Sequence, residues 1–446
     1  MQNTFTYKAA KLFIFFLLIF FTTVGATAQR VVKESRDSVK LDTTKLKLQA
    51  PPKARIYDTK RQFDFSDLVN AILYPKEKDN IQHSSSGFTV VPNVSANPTI
   101  GFQAGIKAVA GLRLGGDPNT LLSVGATSAS YTTKGILVFY LNHNVFTPGN
   151  KYNLQGNIGI SKSVTPDNGF GIGEGQVTNN AAQTVLGDPT HKSYAIHSFY
   201  FNFREKVYKQ IEKNLFLGAG VAFEHRWDMT QSDTVNNGTP MSVYNNKYGL
   251  PQDHYTTAGF LFNIEYTTRD NPNRAFKGVY FDAGVRINQT WVGSTKNSVQ
   301  FTTDLRKYVS LSDTYPEMVL AFWNWGSYLA SGIVPYLELP GTGKDGAFRS
   351  GRGYTVQYFK GTEFNDTEAE FRFPLLGNKF LSGVVFGNLQ TANDQEGTKI
   401  FQTFQPGYGG GLRVLFNKVT RTNLALDYAF GRYGSKGFFL NLNEAF

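Results

Sequence analysis

The sequence predicts an all-β chain, a transmembrane antiparallel barrel of about 16 strands. Three observations carry that prediction. Long segments alternate apolar and polar residues with a period of two. The polar face of those segments carries Asp, Glu, Arg and Lys in strand after strand. The composition is aromatic and glycine-rich, with 38 Phe, 23 Tyr and 44 Gly in 446 residues and only 18% charged residues, which suits strands better than helices.

The alternation is clearest in two segments. Over residues 101–114, Phe102, Ala104, Ile106, Ala108, Ala110, Leu112 and Leu114 share one face, and Gln103, Gly105, Lys107 and Arg113 take the other. Over residues 279–288, Val279, Phe281, Ala283, Val285 and Ile287 oppose Tyr280, Asp282, Gly284, Arg286 and Asn288. The same pattern recurs at 152–162, 195–205, 215–227, 258–269, 298–308, 407–416 and 422–430. Strands of a soluble sandwich run nearer five or six residues, and their inner faces converge on a shared apolar core. A charged inner face and an apolar outer face describe a barrel with lipid outside and a wet lumen.

Composition excludes other classes. Beyond the first thirty residues no apolar run approaches the roughly 20 needed for a membrane helix. The formal charge of +11 is spread along the chain with no lysine–arginine block, so nucleic acid is not an expected partner. With no cysteine, neither a disulfide framework nor a thiolate metal site can form.

Taken in order, residues 1–28 read as a signal peptide. Lys8 and Lys11 precede an apolar run from Leu12 to Phe21, and Ala26-Thr27-Ala28 gives a small-x-small cleavage box before Gln29. Residues 29–86 read as a polar periplasmic linker with one short helix at 67–73. Ser66 is its candidate N-cap, and Leu68, Val69, Ile72 and Leu73 form its apolar stripe. That helix would pack on the barrel, or sit as a plug or lid under a pore. Residues 87–446 form the barrel, at about 22 residues per strand with loops included. Short turns are expected at Asp117-Pro118-Asn119 and Lys134-Gly135, and long loops at 165–191, 228–255, 335–365 and 391–401. Long loops would lie outside and short turns in the periplasm.

One loop and the strand after it stand out. Phe348-Arg349-Ser350-Gly351-Arg352-Gly353-Tyr354 places one arginine between glycines, which permit a tight loop tip. Thr367-Glu368-Ala369-Glu370-Phe371-Arg372-Phe373-Pro374 then alternates apolar and charged residues. A presented arginine followed by a strand with inward carboxylates suggests an internal ion pair. At the end of the sequence, Phe438, Leu440, Leu442 and Phe446 give an amphipathic last strand closing on phenylalanine, the pattern of an outer-membrane insertion signal.

These stretches resemble the BamA/TamA superfamily of outer-membrane barrels, the bacterial surface antigen family. Tyr266-Thr267-Thr268-Arg269-Asp270-Asn271-Pro272 with Lys277-Gly278 resembles the family's turn and the strand after it, with Thr268 in the place of its first aspartate. Gly351-Arg352-Gly353-Tyr354 resembles the arginine-glycine-aromatic motif of its sixth outer loop, and Glu368 to Pro374 the strand after that loop. Leu426-Asp427-Tyr428-Ala429-Phe430-Gly431 lies within the likeness to its closing strands. Gly169-Phe170-Gly171-Ile172-Gly173 is a weaker fifth match. The resemblance implies that the long loop folds into the lumen, with the Arg352, Gly353 and Tyr354 motif at its tip and Glu370 as the partner of Arg352. The position where the family carries a second acidic partner reads Gly387 here. Periplasmic repeats of the kind typical members carry are not found in this sequence.

The resemblance further implies assembly, insertion or translocation of proteins or lipids at the bacterial outer membrane, by opening of the seam between first and last strands. Expected partners are outer-membrane lipids, with periplasmic or lipoprotein subunits supplying the missing module, and client proteins of unknown identity. The competing reading is a gated passive pore or structural barrel without clients. An enzyme is not expected. His83, His143, His191, His197, His225 and His254 show no metal-ligand spacing, and Gly-x-Ser-x-Gly is absent. No catalytic residue, metal or cofactor is expected.

Overall fold

A computed structural model describes residues 62–65, 67–68, 87–92, 95–97, 101–115, 120–133, 135–172, 194–231, 239–395 and 397–446. The segment expected as signal peptide (1–28), most of the expected linker (29–86) and the expected Asp117-Pro118-Asn119 turn lie outside the described residues. The chain forms β1 (Gly87–Pro92), β2 (Ser95–Asn97), β3 (Gly101–Leu112), β4 (Ser123–Thr132), β5 (Leu137–Phe146) and β6 (Tyr152–Asp167). It continues through β7 (Tyr194–Glu212), β8 (Leu215–Gln231), helix α1 (Pro240–Tyr248), β9 (Tyr255–Thr267), β10 (Gly278–Asn288), β11 (Ser298–Ser310) and β12 (Val319–Gly332). It closes with β13 (Glu363–Pro374), β14 (Leu381–Ala392), β15 (Gln405–Asn417), β16 (Thr422–Gly431) and β17 (Lys436–Leu442).

All strands belong to one 17-stranded sheet, in which each strand from β2 onward neighbours the next and β17 neighbours β2. Both β1 and β2 pair antiparallel with β3. They are two halves of one barrel position, so the wall has sixteen staves, as the period-two segments predict. Near-closure of the wall protects most strand edges from aggregation.

The side chains sort as the alternation requires. Along β3, Phe102, Ile106 and Leu112 are exposed on the outer face, while Val109 faces inward and is buried. Along β10, Tyr280 and Asp282 are buried inward and Val279, Phe281 and Val285 face out.

The wall is uneven in height. β7 has 19 residues and β8 has 17, against 7 in β17 and 3 in β2. At roughly 3.3 Å per residue, β7 runs about 60 Å and β17 only about 23 Å. The tall side exceeds the roughly 25 Å apolar band of such barrels. Among the described residues, the strands at the seam are the shortest of the wall.

One short turn sits at the end opposite to that expected. Residues 133–136 join β4 to β5, with Gly135 at φ 75°. Strand parity puts this turn at the same end as the long loops, because each antiparallel stave reverses the chain. Turn length alone does not report the side.

The loop expected at 228–255 contains a helix. Pro240 occupies the first turn of α1, the Thr239 hydroxyl accepts from the Ser242 amide at 3.3 Å, and Gly249 ends it at φ 60°. Pro at the start and Gly just past the end are ordinary helix boundaries. Its Met241 and Tyr244 pack with Ile196, Met229, Leu250 and Tyr255, and with Val334, Tyr336, Leu337 and Leu339 from the loop between β12 and β13. This apolar cluster roofs the long-loop end of the lumen.

At the opposite end, the helical turn begins two residues before the predicted cap. Asp64 accepts from the Asp67 amide at 3.1 Å, and Asp67 reaches back to the Asp64 amide at 2.9 Å; the expected cap, Ser66, lies outside the described residues. This reciprocal pair is a capping box. Phe65, Asp67 and Leu68 are helical, and the rest of the predicted 67–73 helix lies outside the described residues.

Candidate functional site

The loop from 333 to 362 turns back into the barrel, where the wall is built to receive it. The inward face of β15 carries Gly407, Gly409 and Gly411. A Cβ on Gly407 would run into the Arg352 carbonyl oxygen, and one on Gly411 into the Asp427 carboxylate. The loop tip itself needs glycine. Gly353 sits at φ 107°, and a Cβ there would meet the Phe430 carbonyl oxygen at 2.7 Å.

Tyr354 is buried beyond it. Its hydroxyl donates to the Pro406 carbonyl at 2.6 Å and accepts from the Arg432 amide at 2.8 Å. The Ser435 hydroxyl donates to the Gly353 carbonyl at 2.7 Å, and the Asn388 side-chain amide to the Arg352 carbonyl at 2.8 Å. The Gly351 amide donates to Asp366 at 3.0 Å. The tip is therefore fixed to β13, β14, β15 and the β16–β17 turn at once.

Arg352 is 3% exposed. Its Nη2 donates to Glu370 Oε2 at 2.5 Å and to Glu368 Oε1, and its Nη1 donates to Asp427 Oδ2 at 2.8 Å. The guanidinium carbon lies 3.5 Å from the centroid of the Phe386 ring. Burial alone would pull the guanidinium down, but the three carboxylates hold it well above its ordinary value.

The network continues below. Arg372 Nε donates to Glu370 Oε1 at 2.6 Å. Arg413 bridges Asp427 Oδ1 at 2.5 Å and Glu444 Oε2 at 2.6 Å. Arg274 Nε lies 3.3 Å from Glu444 Oε1. Arg274, Arg352, Arg372 and Arg413 thus face Glu368, Glu370, Asp427 and Glu444, a balanced buried set spanning the β9–β10 turn, the loop, β13, β15, β16 and the tail after β17. Such groups can share the interior only because each charge is answered.

A second lock joins the loop to the end of β6. Lys360 Nζ donates to Asp167 Oδ1 at 3.2 Å, and the Tyr336 hydroxyl donates to the same oxygen at 2.6 Å. Burial holds the Lys360 ammonium below its usual value despite the Asp167 carboxylate. The glycine-rich segment Gly169-Phe170-Gly171-Ile172 lies here. The Gly171 amide donates to the Lys360 carbonyl at 2.6 Å, and Gln405 donates to the Ile172 carbonyl at 2.7 Å.

The structure brings Arg352, Gly353, Tyr354 and Glu370 together and adds what sequence reasoning missed. The further acids are Glu368, on the same face of β13, and Asp427, on β16. Gly387 carries no side chain to contribute. The available signal was the lone acid in Leu426-Asp427-Tyr428, since a single charge in an otherwise outward apolar strand must face the lumen.

The terminal residues depart from a continuous outward strand. Phe438 is exposed on the outside, but Leu442 is buried against Val109 and Phe416, and β17 ends there. Asn443 turns the chain at φ 70°. Phe446 is buried in the lumen, its ring centroid 5.2 Å from that of Trp323. The turn after β9 also folds inward. Asp270 accepts from the Phe276 amide at 2.9 Å and from Arg421 at 2.6 Å, and Asn271 accepts from the amides of Asn273 and Arg274.

Nothing in this set resembles a nucleophile with its base. Its chemistry is that of a mechanical lock between a loop, the lumen wall and the strands next to the seam.

No family model matches the sequence, and no curated protein matches it. Solved structures do. BamA from Haemophilus ducreyi, in a form lacking POTRA domains 1-3, aligns at 13% identity and TM-score 0.50, over 80% of this chain and 69% of that one. CdiB from Escherichia coli aligns at 8% identity and TM-score 0.50, over 80% of this chain and 62% of that one. CdiB from Acinetobacter baumannii aligns at 13% identity and TM-score 0.45, over 80% and 60% of the two chains. The chain thus spans less than two thirds of either CdiB. At these identities the likeness is one of fold, an antiparallel β-barrel like those of the BamA and CdiB structures at TM-score 0.50.

Proposed function

We propose that this chain is an outer-membrane barrel that assembles, inserts or translocates other proteins or lipids by parting the wall between β17 and β2. Residues 1–28 would export it, and residues 29–86 would link it to periplasmic or lipoprotein subunits. What carries the reading is the seam. On one side stands β2, three residues long, and on the other β17, seven residues long, next to a locked lumen loop. Apart from the ladder between β2 and β3, the described ladders along the wall are longer than the three described residues of β2 can offer, so the wall would part here at least cost in hydrogen bonds. The Arg352 network would keep β13 to β16 rigid while the seam moves.

Purification of the tagged protein from native outer membranes, with identification of co-purifying chains, tests the reading. Periplasmic subunits, surface lipoproteins and nascent barrels are the expected companions. A lone barrel with steady conductance in planar bilayers would overturn it in favour of a gated pore. One feature favours that second reading. A polar cavity of about 290 Å³ remains in the lumen beside the loop, lined by Arg204, Lys206, Asp282, Arg286, Asp304 and Arg306.

A further inference from the structure

We propose that residues 443–446 are a clasp that holds β17 in the wall from inside the lumen, and that release of this clasp is the step that frees the seam. The proposal rests on the reading of the seam as the moving part, and it assigns the restraint on that part.

The clasp is held along its length. The Asn443 amide donates to the Asn423 carbonyl at 2.7 Å, and its side chain donates to Asn273 Oδ1 at 3.1 Å. The Glu444 carboxylate accepts from Arg413 at 2.6 Å and from Asn423 at 2.8 Å, with Arg274 beside it at 3.3 Å. Arg349 reaches down from the inward loop to the carbonyls of Leu442 at 3.2 Å and Glu444 at 2.5 Å. Arg372 donates to the Phe446 backbone oxygen at 2.9 Å, and the Phe446 ring lies against Trp323 and Tyr308.

These anchors come from the β9–β10 turn, the inward loop, β11, β12, β13, β15 and β16. Only β16 is a direct neighbour of β17. The last strand is thus fastened across the lumen to the far wall, while its seam neighbour β2 offers three residues. For β17 to swing outward, Glu444 and Phe446 must leave their sites. Their departure would take the Glu444 carboxylate from Arg413, Arg372 and Arg274, which makes the closed state the resting one. Arg349 couples the clasp to the loop that carries Arg352, so loop and clasp move together.

Hydrogen–deuterium exchange on the full chain in lipid nanodiscs reads the clasp directly. Glu444→Gln and Phe446→Ala should speed exchange of the β17 amides about tenfold or more, with the β10–β11 ladder unchanged. Should either variant fail to fold, Arg349→Gln removes only the two bonds to the carbonyls of Leu442 and Glu444 and should give the same local effect. Unchanged β17 exchange in the folded variants would overturn the proposal. So would a uniform rise in all strands, since the tail would then be ordinary lumen packing. The measurement needs no client, so failure to find companions in the purification would remove the assembly reading and leave the clasp standing.

Discussion

Arg352 Nη1 lies 2.8 Å from Asp427 Oδ2, and the two residues are 75 positions apart in sequence. The contact joins the inward loop to β16, while the bonds of the same guanidinium to Glu368 and Glu370 join it to β13. One side chain therefore ties two walls that are not neighbours, and β14 and β15 are enclosed between them.

Breaking that tie from one side should be costly. Arg352→Ala takes the cation from buried Glu368 and leaves Glu370 and Asp427 with Arg372 and Arg413, and a cost of about 3–5 kcal/mol is expected for breaking a buried pair. Glu370→Gln should cost less, because Glu368 and Asp427 remain on Arg352. The double variant should be less damaged than the sum of the singles. Arg352→Lys should rescue only in part, since one ammonium cannot serve three carboxylates in a planar fork. Thermal unfolding in detergent measures all four. Strict additivity of the two single effects would show that Arg352 and Glu370 do not act as a pair.

Gly353→Ala tests the loop tip without touching a charge. At φ 107° an alanine is strained, and its Cβ would press on the Phe430 carbonyl at 2.7 Å. A loss of about 1–3 kcal/mol is expected, together with faster protease cleavage of the loop at 333–362. Tyr354→Phe should cost about 1 kcal/mol by removing the hydroxyl between Pro406 and Arg432. An alanine at 353 that leaves both stability and cleavage unchanged would place the tip elsewhere.

The outward face makes its own prediction. Ile106, near the middle of β3, is 63% exposed and points away from the lumen. Ile106→Arg should lower folding free energy in bilayers by about 2–4 kcal/mol if that surface meets the hydrocarbon midplane. The same change in short-chain detergent should cost far less. Equal effects in both media would mean that this face does not meet lipid.

Much of this was legible in the sequence, for physical reasons. A period of two fixes which side chains share a face, so Ile106 and Asp282 could be sorted without coordinates. Two glycines around Arg352 and the inward carboxylates close after it suggested an internal ion pair, and the family resemblance pointed to Glu370 as its acid. Asp427 could not be paired, because strand order around a closed wall brings it to Arg352 across 75 residues. The inward position of Phe446 was hidden for a related reason. Alternation assumes that the strand continues, and Asn443 ends it with a positive φ that the residue type permits but does not demand. Helix α1 was written plainly enough in Thr239-Pro240 and Gly249, but its weak apolar stripe hid it within a loop.

The last prediction concerns the segment at 62–68, which docks at the short-turn end beside the closing strands. Phe63 donates its amide to the Asn378 carbonyl at 3.1 Å, and its ring packs edge-on against Phe380. Phe65 stacks on Phe416 with ring centroids 4.3 Å apart. Lys418 is the hub, giving its amide to Asp64 at 3.1 Å and its ammonium to Asp67 at 2.7 Å. That pair is largely shielded, so Lys418→Ala should cost more than an exposed pair, at about 0–1 kcal/mol, and less than a fully buried one. Because the amide bond survives the change, the segment should loosen without the barrel unfolding. Asp64→Ala should loosen it further, since it removes both the helix cap and the acceptor of the Lys418 amide. Limited proteolysis checks the order. Cleavage near Phe63 and Phe65 should be slow in the native chain, faster in Lys418→Ala and fastest in Asp64→Ala, with barrel fragments intact throughout. If all three chains are cut at the same rate, Lys418 does not hold the segment, and the two ring contacts alone fix it.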